Sequence, residues 1–307
     1  MPRSPALPLP LSISANMPAP DTKISIVTMA SSKAIIPTEA SPAWENDMQK
    51  TAPVFACVYS VAATAVLLAA TPALGQAASF FDPFDRIDNS RWYISDGWVN
   101  GNWHGCTWAK SNLVIRNGIL QMKLTKAPNP LRAYKCAEIR THGSHGYGLY
   151  EVSMRTAAGA GLNTAMFTYS GRPLTPIHDE IDFEFLGKSP RDVQLNYYVA
   201  GRGGHESIAS VGSNASAAFH TYAFEWTPTA LTWYIDGRLV RRVTAAPRPT
   251  TPGQFFLTLW NGTDKNSNWL GTFVPSTAPV TAEVDWVAFT APGERCRFQQ
   301  SISCKRR

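Results

Sequence analysis

From about Ser79 onward, the sequence is a succession of short segments in which polar and apolar residues alternate, separated by Gly, Pro and Asn. Two of the separators, Asn117-Gly118 and Asp236-Gly237, are dipeptides typical of two-residue β-hairpin turns. No segment sustains the period of an amphipathic helix, about 3.6 residues. The sequence therefore predicts an all-β fold, one domain built as a sandwich of two antiparallel sheets. The clearest predicted strands cover residues 113–115, 119–124, 148–155, 164–169, 193–199, 220–226, 231–235, 255–259 and 283–289.

One further predicted strand, residues 180–186, has an unusual composition. Its apolar residues alternate with acids, so one face of the strand carries Glu180, Asp182 and Glu184, and the other face is the buried one. On a plain solvated face, like charges two residues apart would repel one another, so the arrangement needs a reason other than stability. The alternative is a solvated edge strand whose charges prevent aggregation.

The spacing of the acids suits the hydrolysis of glycosidic bonds. Glu180 and Glu184 are four residues apart, which separates their Cα atoms by about 13 Å in a strand. Side chains that lean together would approach the roughly 5 Å between the two carboxyl groups of a retaining glycosidase. Asp182 lies between them, where it can hydrogen-bond the nucleophile and help to keep the acid protonated. The strand therefore predicts polysaccharide cleavage.

Aromatic residues outside the apolar runs support a sugar-binding cleft. Sugar rings have apolar faces that stack on aromatic side chains, while Asn and Glu side chains bond the hydroxyl groups. Together with three aligned acids, this set favours a cleft over core packing. The aromatic residues in or beside polar, Asn-rich and Gly-rich segments are Trp98, Trp103, Trp108, Tyr169, Tyr197, Tyr198, Trp260 and Trp269.

The N-terminal region differs in composition from the rest. In residues 1–47 Pro, Ser, Ala and Thr dominate without a period, which predicts a disordered extension or a start codon assigned too early. From Met48, a basic residue, an apolar run and small residues follow in the order of a secretory signal peptide, residues 48–77. A single membrane anchor is the alternative, for which the run is barely long enough. Residues 78–307 are then the catalytic domain with a short basic tail, secreted or periplasmic.

The formal net charge is +6. Much of the excess lies in Arg238, Arg241, Arg242, Arg248 and the tail 305–307, which we interpret as solvated surface. No nucleic-acid motif accompanies these residues, so we expect no nucleic-acid partner, no stable membrane anchor and a monomer whose partner is its glycan.

Four cysteines follow the predicted signal peptide: Cys106, Cys136, Cys296 and Cys304. An even number in an exported chain predicts disulfides, although four cysteines allow three pairings. We favour Cys106 with Cys136 and Cys296 with Cys304. The spacings do not resemble those of a zinc site.

The acid strand Glu180-Ile181-Asp182-Phe183-Glu184 resembles the active-site strand of glycoside hydrolase family 16. The likeness runs from about Phe80 to Phe289 and is closest to the bacterial lichenases, which are endo-β-1,3-1,4-glucanases. His178 stands where those lichenases carry an aromatic residue; a His is closer to plant xyloglucan-modifying members and to the exopolysaccharide glycanases of rhizobia. The other matching motifs are Phe183-Glu184-Phe185-Leu186-Gly187-Lys188, Asn196-Tyr197-Tyr198, Gly203-Gly204-His205-Glu206, Phe219-His220-Thr221-Tyr222-Ala223-Phe224-Glu225-Trp226 and Leu259-Trp260-Asn261-Gly262-Thr263.

The resemblance implies a concanavalin-like jelly roll and assigns a role to each acid. Glu180 would be the nucleophile, Glu184 the acid and base, and Asp182 their helper. The Cys106–Cys136 pairing also matches the family, and Thr258 stands where lichenases commonly have Asn. The implied substrate contacts are Asn100, Glu138, Tyr169, His178, Asn196, Tyr198, Trp260 and Trp269.

No cofactor is expected for catalysis. The resemblance implies a structural calcium ion held by backbone oxygens of Pro83 and Gly118 and by Asp285. We therefore predict a secreted retaining endo-β-glucanase that cleaves β-1,4 or β-1,3 bonds in mixed-linkage β-glucan or a related exopolysaccharide. A transglycosylase with the same residues and a non-catalytic β-glucan-binding lectin are the alternatives.

Overall fold

The computed structural model describes residues 77–171, 175–275 and 279–305. The predicted extension, and all of the predicted signal peptide except Ala77, lie outside these ranges. The strands within them are β1 (Phe80–Asp82), β2 (Trp92–Ile94), β3 (Cys106–Trp108), β4 (Leu113–Arg116), β5 (Ile119–Lys126), β6 (Tyr134–Thr141), β7 (Gly148–Arg155), β8 (Leu162–Tyr169), β9 (Glu180–Leu186), β10 (Asp192–Tyr198), β11 (Ser207–Ser210), β12 (His220–Trp226), β13 (Leu231–Ile235), β14 (Arg238–Val243), β15 (Gln254–Asn261) and β16 (Val280–Thr290).

Helices are short in the described part of the chain. Two are 3-10 helices, Lys110–Asn112 and Asp264–Asn266, and two are α-helices of about one turn, α1 (Ser267–Leu270) and α2 (Ile302–Lys305). None of the helices in these ranges is long and apolar enough to cross a membrane.

The strands form two layers. The cleft sheet has the order β11-β10-β9-β8-β15-β6, with β2 beside β6, and the back sheet has the order β5-β16-β7-β12-β13-β14, with β1 and β4 beside β16 and β5. Pairing of β5 with β6 joins the two sheets at one edge. Strand β3 runs parallel to β6, while the other described pairs are antiparallel. The predicted all-β jelly-roll sandwich is confirmed.

Both predicted hairpin turns are present. Asn117 and Gly118 connect β4 to β5 with φ angles of 54° and 72°, and Asp236 and Gly237 connect β13 to β14 with 49° and 79°. Positive φ at both central residues defines the type I′ turn, whose twist matches that of the flanking strands. The dipeptides were therefore reliable signals, because few other residues tolerate this conformation.

Strand β6 has no counterpart among the predicted strands. It lies between β15 and β5, and most of its residues are buried although Lys135, Glu138 and Arg140 interrupt its apolar pattern. Because both faces of β6 are covered, the polar and apolar residues do not alternate in the way that marks a strand with one solvated face. Pattern reading therefore missed this strand.

The prediction that Arg241 belongs to solvated surface is wrong. Its guanidinium donates to the backbone oxygens of Leu195 (2.9 Å) and His205 (2.6 Å) and lies over the Trp233 ring at 4.9 Å. Arg241 is on β14 of the back sheet and Leu195 is on β10 of the cleft sheet. The arginine therefore ties one layer to the other, and its charge is satisfied by carbonyl groups and an aromatic face.

The apolar face of β9 anchors the acid strand to the back sheet. Phe183 and Phe185 pack on Tyr222 of β12, with ring centroids 5.7 and 4.5 Å apart, and all three side chains are buried. The Trp233 indole also donates to the backbone oxygen of Asp182 at 3.1 Å. The backbone that presents the acids is therefore fixed from behind.

Both favoured disulfides are present. Cys106 and Cys136 link β3 to β6, and Cys296 and Cys304 close a loop in the C-terminal segment. At the end of that loop, the Ile302 amide donates to the buried Glu151 carboxylate on the back sheet at 2.8 Å. The first disulfide thus stabilises the edge where the two sheets join, and the second closes the segment that covers part of the back sheet.

Replacing Phe183 with Ala should destabilise the protein, because it removes a fully buried ring from beneath the acid strand. We expect the free energy of unfolding to fall by about 3–5 kcal/mol, as for other buried aromatic residues. Urea unfolding followed by tryptophan fluorescence measures the change. Ile208→Ala is the matched control, since this β11 side chain is 65% exposed; equal losses in both variants would contradict the packing role.

Candidate active site

The three acids lie on the face of β9 opposite Phe183, in the middle of the cleft sheet. Strand β9 pairs with β8 on one side and with β10 on the other, so Asp182 stands between Phe167 and Asn196. Glu180, Asp182 and Glu184 line one cleft together. The sequence prediction that they share a face is confirmed.

The alternative of a solvated edge strand is excluded, because β9 lies inside the cleft sheet between β8 and β10. Glu180 and Asp182 are each only 3% exposed. The reason is tertiary: residues from four other segments wall the cleft above β9 and exclude most of the water. The aromatic walls are Trp103, Trp108, Phe167, Tyr169, Trp260 and Trp269.

Burial and mutual repulsion control the protonation of two of the acids. Burial raises the pKa of Asp182 well above its usual range, and the charges of Glu180 and Glu184 and a hydrogen bond with Glu180 raise it further. Burial, followed by the charges of Glu180 and Glu206, likewise raises the pKa of Glu184, which the Asn163 amide opposes. Burial and repulsion therefore favour the protonated forms of Asp182 and Glu184, the form in which Glu184 can donate a proton to a leaving group.

Five of the predicted substrate contacts line the cleft: Asn100, Glu138, Tyr169, Trp260 and Trp269. The Asn100 oxygen accepts from the Trp108 indole at 3.0 Å, and a Glu138 oxygen accepts from the Ser95 hydroxyl at 2.5 Å. Trp269 donates to Gln194 at 2.6 Å. These bonds fix the orientation of the cleft walls before substrate arrives.

The other three predicted contacts, His178, Asn196 and Tyr198, do not reach the open cleft. Each is 1% exposed or less, and Gly203 lies so close to the Tyr198 ring that a Cβ there would clash. The His178 imidazole instead lies 2.8 Å from a Glu180 oxygen. The loop after β10 covers this corner, and the substrate-binding role of these three residues stays a prediction.

Two buried polar atoms in the cleft have no partner among the described residues. They are the hydroxyl oxygens of Tyr169 and Thr258. Buried polar groups are normally hydrogen-bonded, and unpaired ones are costly. Both side chains line the cleft, so a ligand rich in hydroxyl groups would satisfy them. Thr258 can thus offer a hydrogen bond where the lichenase motif has Asn.

Sequence reasoning missed three residues around the site. Asn163 and Phe167 share the cleft face of β8 with Tyr169, and period-two counting back from Tyr169 would have found them. Glu206 affects the acids by charge, as described above, but nothing in the sequence reveals its position. Only the pairing of β11 with β10, where Ser207 faces Leu195, places it near them.

Not all the predicted cleft aromatics belong to the cleft. Tyr197 faces the core, because it pairs with Ile181 on the opposite face of the sheet from the acids, and it stacks on His205 at 4.0 Å. Trp98 packs edge-on against Trp108 and does not line the cleft. The Gly-rich and Asn-rich surroundings of an aromatic residue therefore predicted its place in the cleft less well than the alternation of side chains between the two faces of a strand.

The predicted calcium ligands converge in the back sheet. Strand β1 pairs with β16 as far as Val287, and β5 pairs with it from Val284, so Pro83 and Gly118 both approach the irregular segment that holds Asp285. One carboxylate with backbone oxygens suits Ca²⁺. Within the described ranges, the cluster of potential His, Cys and acidic ligands is His104 with Cys106 and Cys136, whose sulfurs are bonded to each other. Calcium binding stays a prediction.

The pKa of Glu138 generates a testable pH dependence. Burial raises this pKa from 4.5 to about 7, against the Ser95 hydrogen bond and the Arg140 charge. Between these values the folded protein holds a proton that the unfolded chain has lost, so the contribution to stability is full below pH 4.5 and disappears as the pH rises through about 7.

Replacing Glu138 with Gln should therefore flatten the fall in unfolding free energy between pH 4.5 and 7. The effect should be on the order of 3 kcal/mol across this window. Urea unfolding at a series of pH values checks it, with Glu294→Gln on the exposed surface as the control. Parallel curves for the parent and Glu138→Gln would contradict the raised pKa.

Proteins of similar sequence agree with a site that cleaves glycosidic bonds. The sequence signature of Glycosyl hydrolases family 16 matches residues 100–288. The chain is 42% identical to the endo-1,3-1,4-beta-glycanase ExoK of Rhizobium meliloti (strain 1021) over 74% of its length and 84% of the relative. It is also 42% identical to a beta-glucanase of Bacillus subtilis (strain 168), over 72% and 90% of the two chains.

Solved structures show the same fold. A Bacillus licheniformis beta-glucanase superimposes with a TM-score of 0.64 at 39% identity, covering 70% of this chain and 99% of that one. A lichenase derived from a mouse hindgut metagenome gives a TM-score of 0.65 at 40% identity, covering 70% and 99%. The chain therefore belongs to glycosyl hydrolase family 16 and is a glycoside hydrolase.

Proposed function

We propose that this glycoside hydrolase is a retaining endo-β-glucanase that cleaves internal bonds of mixed-linkage β-1,3-1,4-glucan. The observation that carries the proposal is the row of three carboxyl groups on β9, with Glu180 and Asp182 buried and Glu184 half-buried, at the floor of a cleft with aromatic walls and unpaired hydroxyl groups. Stacking surfaces and hydrogen-bonding groups in one groove suit an extended neutral glycan. The endo-1,3-1,4 activity named for the relatives fits this cleft.

The mechanism has two steps. In the first, ionised Glu180 attacks the anomeric carbon while Glu184 gives its proton to the departing glucosyl oxygen. In the second, Glu184, now ionised, takes a proton from water, the water oxygen bonds to the anomeric carbon, and the bond to Glu180 breaks. Asp182 holds its proton toward Glu180 and thereby orients it. Each step inverts the configuration at the anomeric carbon. Two inversions restore the original β configuration, so the first product should be the β-anomer.

The motifs specify the exact polymer that the enzyme cleaves less closely than the reaction, because His178 departs from the lichenase pattern. His178, buried against Glu180, stands where the lichenases carry an aromatic residue. A related exopolysaccharide is the other candidate substrate, since one relative is a rhizobial endo-glycanase. A transglycosylase would use the same residues and differ in which acceptor reaches the intermediate; product masses with added oligosaccharide acceptors separate the two.

We also propose that the protein is exported. The order of basic, apolar and small residues from Met48 supports this, as do the two disulfides, which persist in oxidising compartments. Finding the full-length chain in the cytoplasm, with its apolar run intact, would overturn this part of the proposal.

Glu180→Ala should abolish hydrolysis, because it removes the nucleophile while the packing of β9 from behind stays in place. We expect a loss of at least about a thousandfold in kcat on mixed-linkage glucan. A reducing-end assay measures this, and circular dichroism checks the fold. Glu294→Ala is the matched control, an acid on the exposed surface. Appreciable hydrolysis by Glu180→Ala would refute the nucleophile assignment.

Glu184→Ala should fail on natural glucan yet still release an activated phenolate, because a good leaving group needs no proton. The expected loss in kcat/KM is about a hundredfold or more on glucan and much smaller on a dinitrophenyl glycoside. The comparison requires only the rate on each substrate. An equal loss on both would argue against the acid role.

A panel of polymers tests the substrate. We expect new reducing ends from mixed-linkage glucan, with little from laminarin or xyloglucan. An acidic bacterial exopolysaccharide tests the alternative substrate. Activity on laminarin alone would overturn the proposed specificity.

A further inference from the structure

The carboxylate of Glu180 has a neighbouring donor on each side along the strand. His178 places Nε2 2.8 Å from Oε2 of Glu180, and Asp182 is hydrogen-bonded to the same carboxyl group. In the proposed mechanism Glu180 is the ionised nucleophile and can only accept hydrogen bonds, so Nε2 of His178 is assigned as the donor. The bond is buried on both sides, since His178 is fully buried and Glu180 is 3% exposed.

The imidazole ring of His178 is held in one orientation. It lies between two tyrosines, 4.7 Å from the Tyr169 ring and 5.0 Å from the Tyr198 ring, with interplanar angles of 36° and 25°. Its backbone is fixed as well, because its amide donates to Thr175 at 3.0 Å and its carbonyl accepts from Gly201 at 2.7 Å. The direction of the Nε2–H bond is therefore set by packing before substrate binds.

We propose that His178 is a positioning residue for Glu180 and that its main effect is on the second chemical step, the breakdown of the glycosyl-enzyme. The inference rests on the proposed role of Glu180 as nucleophile. It replaces the sequence prediction of a substrate contact with an interaction made through Glu180.

The physical reason is the change in charge on Glu180 during the cycle. In the glycosyl-enzyme Glu180 is an ester without charge. As water attacks, the bond from the anomeric carbon to Glu180 breaks and its electron pair returns to the carboxylate, while Glu184 takes the proton of the water. A fixed N–H donor binds the returning negative charge more strongly than the ester, which lowers this barrier. In the first step the charge on Glu180 disappears, so the same donor stabilises the reactant more than the transition state, and only its orienting effect favours this step.

Two substitutions separate the donor from the ring. His178→Phe keeps an aromatic ring between the tyrosines and removes the donor, whereas His178→Gln replaces the ring and keeps an N–H group. On a dinitrophenyl glycoside, whose first step is fast, we expect His178→Phe to lower kcat by about tenfold or more. KM should fall in parallel because the intermediate accumulates, so kcat/KM should change much less. His178→Gln should recover most of the lost kcat.

A direct measurement uses a 2-fluoro glycoside to trap the intermediate. Mass spectrometry should find the label on Glu180 in the parent and in His178→Phe, and the label should be lost more slowly from the variant when acceptor is added. His142→Phe is the control, the same substitution at an exposed histidine outside the cleft.

The outcomes separate this inference from the proposed function. Absence of label from Glu180 in the parent would overturn the nucleophile itself. Label on Glu180 with equal reactivation rates in the parent and His178→Phe would overturn only the role of His178. A raised KM with unchanged kcat would show that His178 contacts substrate instead.

Discussion

The site depends on one electrostatic constraint: three carboxyl groups, two buried and one half-buried, lie within five residues of one strand. Three ionised acids could not coexist there, because burial and mutual repulsion both oppose charge. The structure favours the protonated forms of Asp182 and Glu184, because burial and repulsion raise their pKa values, and it places hydrogen-bonding groups beside Glu180. The same conditions that make the acids compatible also give them different roles, an anionic nucleophile beside a proton donor.

This arrangement needs a rigid support, which the sandwich provides. The residues between the acids bury aromatic rings against Tyr222, and Trp233 holds the backbone of Asp182 from the opposite sheet. Such contacts leave the strand little freedom to relax when charge moves during catalysis. The back sheet therefore acts in function as well as in stability, since preorganised groups lower a barrier only if they do not reorganise.

Prediction from sequence succeeded where the relevant signal is local. The alternation in residues 180–186 placed three acids on one face, and Asn-Gly and Asp-Gly marked two turns that the structure confirms. It failed where strand order matters. Strand β6 lies in the interior and shows no alternation. Arg241 donates hydrogen bonds to a backbone carbonyl of the other sheet. Glu206 is near the acids only through the pairing of β10 with β11.

By itself, the sequence determined the fold class, the face that carries the acids and the family resemblance, because these follow from local periodicity, turn chemistry and ordered motifs. Tertiary structure alone decided how deeply the acids are buried, which aromatic residues wall the cleft, and that His178 contacts Glu180 rather than the open groove. The physical reason is that burial, and the pKa values that follow from it, depend on segments far apart in the chain, whose approach no local pattern encodes.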